Sequence, residues 1–84
     1  MDASDGRRRT GAEVVFVLMR TLLAGRLLWG ADSAQSLASL RPLLGANPGQ
    51  VARALLYLRD EGMVRVDRRG MVRLTERAFR ELLG

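Results

Sequence analysis

The side chains best placed to do chemistry in this sequence are guanidinium and amide groups, not acids or nucleophiles. Its 84 residues include no histidine and no cysteine, which removes disulfides, thiolate chemistry, Cys/His metal sites and imidazole general acid–base catalysis. The carboxylates Asp2, Asp5, Glu13, Asp32, Asp60, Glu61, Asp67, Glu76 and Glu81 are scattered, with no convincing pair for a carboxylate metal site or a glycosidase. The expectation is therefore no enzyme, no cofactor and no metal. What remains is arginine, which supplies all 14 basic residues and leaves a formal net charge of +5. A guanidinium is a permanent cation whose planar fork of donors matches a phosphate or the edge of guanine. Residues 1–13 are neutral, residues 14–64 carry +2, and residues 65–84, with six arginines against three acids, carry +3. The excess charge thus lies toward the C-terminus.

One segment combines these groups with a helical frame. In Asn47-Pro48-Gly49-Gln50 an asparagine N-cap precedes a proline suited to the first helical position, and Gln50 occupies the reciprocal place of a capping box. The helix, over 47–61, buries Val51, Ala54, Leu55 and Leu58. Outward it leaves Gly49, Gln50, Ala52, Arg53, Leu56 and Tyr57. A DNA major groove about 12 Å wide admits one such helix. There Gln50 would meet an adenine edge and Arg53 a guanine edge or a phosphate, while Gly49 and Ala52 permit close approach. The Asn47 end favours a phosphate through its free amides and dipole. Tyr57 would reach a phosphate through its hydroxyl or pack on the following hairpin.

The hairpin is read from a switch to period two: Val64 and Val66, then Val72 and Leu74, alternate with Arg65, Asp67, Met71 and Arg73. Gly70 provides the positive φ of the connection. Arg68 and Arg69 stand at the tip, aimed at a phosphate backbone or minor groove. Arg65 and Arg73 are expected beside cross-strand acids, and Arg59 beside Asp60 or Glu61.

Residues 1–11 read as a flexible arm, whose Arg7, Arg8 and Arg9 suit a minor groove, and residues 12–84 as one domain. Val14, Val15, Leu18, Met19, Leu22 and Leu23 mark a first helix ending near Ala24-Gly25, with 26–29 a short extended piece. A second helix starts from an Asp32 or Ser33 cap and runs past Leu40 until Pro42 disturbs it; Gly45 closes a last turn. Thr75 caps a short final helix over 76–83. The fold class is α+β, mostly α: three helices, a β-hairpin wing and a short C-terminal helix, in the order of a winged helix-turn-helix.

The run from Leu44 to Leu55, the exit Leu58-Arg59-Asp60-Glu61-Gly62-Met63-Val64 and the segment Leu74-Thr75-Glu76-Arg77-Ala78 resemble the winged helix-turn-helix transcriptional regulators of the MarR and PadR kind. The resemblance covers about residues 33–83. It implies double-stranded DNA as the partner, read by the helix 47–61 and gripped by the wing 64–74. Two positions depart from the family pattern, Arg41 and Pro42, and a kinked or shortened second helix is expected from them.

A chain this short buries only about 60–65% of its surface, so self-association is expected. Val14, Val15, Phe16, Leu23, Phe79 and Leu83 are the candidate homodimer contacts, and Phe16, Trp29 and Phe79 are expected in the core or at that interface. A two-fold dimer would match a palindromic site. The stretch 14–29 is interrupted by Arg20 and Arg26 and is too short to span a bilayer, and no secretory signal is visible. A cytoplasmic protein, nucleoid-associated when bound, is expected. The competing reading is a protein-interaction module or subunit-docking domain.

Overall fold

Helix α1 (Gly11–Trp29) opens on a reciprocal cap. Thr10 N–H donates to Glu13 Oε1 at 2.8 Å and Glu13 N–H donates to Thr10 Oγ1 at 3.1 Å, so the helix already includes Gly11, one residue before the expected boundary. The computed structural model describes residues 10–84; the proposed arm, with Arg7, Arg8 and Arg9, lies outside them apart from its last two positions. Val14, Val17, Leu18 and Leu22 form the buried stripe of α1.

The expected stop at Gly25, and an extended 26–29, are corrected: α1 continues to Trp29 and is capped by Gly30, whose N–H returns to the Arg26 carbonyl at 3.0 Å. Gly25 serves close approach instead. A Cβ there would lie 2.5 Å from Gln35 Nε2, an amide that donates to the Thr21 carbonyl at 3.2 Å.

The second helix starts later than expected. Gln35–Ser36 form a short strand, β1, and Ser36, not Asp32 or Ser33, caps α2 (Leu37–Leu44) by accepting from Ser39 N–H at 3.1 Å. Strand pairing decides this start, because Leu37 N–H also donates to the Gly70 carbonyl at 3.0 Å. Pro42 neither breaks nor shortens α2. The bond it forfeits would go to Ala38, which is exposed, so solvent can take that carbonyl. Gly45 then turns the chain in the left-handed region, φ 61° and ψ 36°, which a side chain would strain.

Helix α3 (Pro48–Asp60) is capped as its sequence indicates: Gln50 N–H donates to Asn47 Oδ1 at 2.9 Å and Asn47 N–H to Gln50 Oε1 at 3.2 Å. Strands β2 (Val64–Val66) and β3 (Met71–Leu74) form the hairpin, and β1 adds on the far side of β3 to give the order β1-β3-β2. Thr75 Oγ1 donates to the Gly62 carbonyl at 2.7 Å and accepts from Ala78 N–H at 3.2 Å, starting α4 (Glu76–Leu83).

Every layer contributes to one core. Val14, Leu18, Leu40, Leu44, Val64 and Val72 are its largest fully buried side chains, and truncating such a leucine typically costs about 2–5 kcal/mol. Val14 is therefore a core residue and not an interface contact, which corrects its assignment. Val66 was expected to face the core with Val64 but is 36% exposed. Phe16 and Trp29 are largely exposed; Leu23, Val15 and Phe79 pack at the core margin. No helix among the described residues is long and apolar enough to cross a membrane.

Candidate nucleic-acid interface

Burying Val51, Ala54, Leu55 and Leu58 against the core turns Gly49, Ala52, Arg53, Leu56, Tyr57 and Asp60 of α3 to solvent. Arg53 has no carboxylate partner among the described residues. Asn47 and Gln50, both expected to face DNA, are tied to one another through the cap. Gln50 is half-buried, and pairing both its amide atoms with adenine would require releasing the Asn47 N–H. Tyr57 lies on the α1 side of α3, sharing a cleft with Gly11, Val15, Gln50 and Arg53. Tyr57 also lines a second cleft, with Phe16, Met63 and Arg77.

The hairpin loop is built by a carboxylate. Asp67 Oδ1 accepts from Arg69 N–H at 2.9 Å and from Met71 N–H at 3.0 Å, while Gly70 N–H donates to the Asp67 carbonyl at 3.0 Å. The Met71 amide is the main influence that lowers the Asp67 pKa from its ordinary 3.8; desolvation opposes it, and the Arg69 amide and the charges of Arg69 and Arg73 add to the lowering. With Asp67 so engaged, Arg68 and Arg69 stand exposed at the tip.

Two further arginines join them. The register pairs Val64 with Leu74, Arg65 with Arg73 and Val66 with Val72, so the cross-strand neighbour of Arg65 is another arginine and not an acid. Like charges placed so are destabilising. Sequence reasoning missed this pair although the signal was present, since counting outward from a turn centred on Arg69 sets Arg65 opposite Arg73. Arg59 pairs loosely with Asp60, 3.6 Å apart on the surface.

The hairpin adjoins the outward face of α3. Val66 shares a groove of about 300 Å³ with Ala52, Leu55 and Leu56 of α3 and with Leu37 of α2, and Arg41 and Arg59 also line it. Among the described residues no carboxylate lines this groove. The arrangement offers an exposed helix face carrying one unpaired guanidinium, an apolar groove beside it, and four hairpin arginines accompanied by a single carboxylate. Among the described residues no group of three acids is placed to hold a metal ion.

No protein-family model, curated protein or solved structure matches the chain.

Proposed function

We propose that the chain is a winged helix-turn-helix that binds double-stranded DNA, α3 entering the major groove and the β2–β3 hairpin serving as the wing on the flanking backbone. The observation that carries this reading is the pairing of Arg65 with Arg73 next to the exposed Arg68 and Arg69. Four guanidinium groups on one small hairpin, two of them on directly opposed residues, outnumber its one carboxylate, Asp67, and leave a local excess of positive charge. A phosphodiester backbone supplies anions at regular spacing, and each neutralised phosphate releases counterions.

The protein acts in this reading as a homodimeric transcriptional regulator. Support comes from the exposed apolar side chains of α1 and α4: Phe16, Leu27, Leu28, Trp29 and Leu83 are all more than half exposed. A two-fold contact there places two copies of α3 on one duplex, where half-sites recur every 34–36 Å or so. A described protomer of 40 × 30 × 23 Å is the right size for that spacing.

The direct experiment is selection of bound duplexes from a random pool, followed by anisotropy titration at graded salt. Affinity that falls steeply with salt and exceeds that for random duplex supports the reading; no duplex binding at low salt refutes it. In that event a second reading takes over, a protein-docking module. It is favoured by the groove between α2, α3 and β2, whose apolar lining and two arginines, Arg41 and Arg59, suit an acidic segment with apolar anchors.

A further inference from the structure

The outward face of α3 is poor in hydrogen-bonding side chains for a surface that reads bases. Asn47 and Gln50 are held in the cap, Tyr57 lies toward α1, and Arg59 sits beside Asp60. Arg53 is left, flanking on the α1 side the pair Ala52 and Leu56, which are exposed and one helical turn apart. Leu56, 48% exposed, continues into the apolar groove formed with Leu37, Leu55 and Val66. A single exposed leucine is unremarkable, but here the apolar surface is continuous and lies on the face proposed to meet DNA.

The major groove displays one apolar group on its base edges, the thymine C5-methyl. Four residues of α-helix advance about 6 Å, close to two base-pair steps of about 3.4 Å. We infer that Ala52 and Leu56 read thymine methyl groups about two base pairs apart, beside a guanine contacted by Arg53. Specificity in this chain then rests on shape and methyl contact more than on amide pairing. The inference rests on the DNA-binding reading and adds to it the composition of the recognised site.

The test uses the full chain and its selected duplex, with each thymine replaced in turn by deoxyuridine, which removes the methyl and keeps the base pair. Affinity is expected to fall about fourfold, the value of one buried methyl group, at two positions about two steps apart. Leu56→Ala should abolish the loss at one of them and Ala52→Ser at the other, with thermal melts confirming that both variants fold. Unchanged affinity at every substituted thymine overturns the inference while leaving duplex binding intact. Losses that persist undiminished in both folded variants overturn it as well. Failure to enrich any duplex overturns it together with the DNA-binding reading.

Discussion

Arg65 and Arg73 stand directly opposite one another on the antiparallel strands β2 and β3. Stability alone disfavours this choice, since an opposite-charge pair at such a position contributes roughly 0.2–1 kcal/mol and a like-charge pair subtracts. Arg65→Glu, which leaves the attraction of Arg73 for Asp67 in place, should therefore raise the urea midpoint of the free protein and at the same time weaken duplex binding at low salt. Opposite signs in the two assays would mark the pair as kept for an anion. A variant that is less stable, or binds unchanged, would show that the opposed arginines have no such role.

The attachment of α4 makes a second prediction. The Arg26 guanidinium lies 3.9 Å from the centre of the Phe79 ring and donates to Glu76 Oε1 at 2.9 Å, with the Arg26 side chain only 19% exposed. Arg26→Ala should cost about 1–2 kcal/mol, combining a sheltered cation–π contact with a half-exposed ion pair. Phe79→Leu should cost less, since it keeps the apolar contact and loses only the ring. Equilibrium urea unfolding checks both; an unchanged midpoint for Arg26→Ala would show that α4 is held by its apolar side alone.

Acid should loosen the hairpin first. The pKa of Asp67 is lowered in the folded chain from 3.8, so the folded state binds its proton less readily than the unfolded one. The stabilisation is complete above 3.8 and is lost as pH falls from there through the lowered folded value. Amide protection at Arg69 and Met71 should decline across that window, and Asp67→Ala, which removes the acceptor, should be poorly protected there and at neutral pH alike. Equal protection at all pH values would remove Asp67 as the organiser of the loop.

How much of this was legible before the structure depends on whether the deciding contacts are local. Asn47, Pro48 and Gln50 act on each other within one turn, so the start of α3 and its buried face follow from the sequence directly. The hairpin is equally local, with its change of period and Gly70. Gly25 and Gly45 look alike as helix terminators, yet only Gly45 is one. The helix runs on through Gly25 to its cap at Gly30, and what packs against Gly25 is the amide of Gln35, ten residues away. The strand Gln35–Ser36 exists because Met71 and Val72 are there to pair with it, and two residues carry no periodicity of their own. In the candidate site, Arg53, Arg68 and Arg69 stand exposed as expected. The role of Gln50 was ambiguous for a physical reason, because the same amide can cap a helix or read a base.

The measurement that bears most directly on the central claim is a salt-graded anisotropy titration of one selected duplex and one random duplex, with the wild type, Arg53→Ala and the Arg68→Ala/Arg69→Ala double variant. The account predicts that Arg53→Ala loses about 1–3 kcal/mol on the selected duplex and much less on the random one. The double variant should weaken both alike and reduce the salt slope by up to about two units. If both variants bind the two duplexes as the wild type does at every salt concentration, α3 and the hairpin are not the DNA-binding surface.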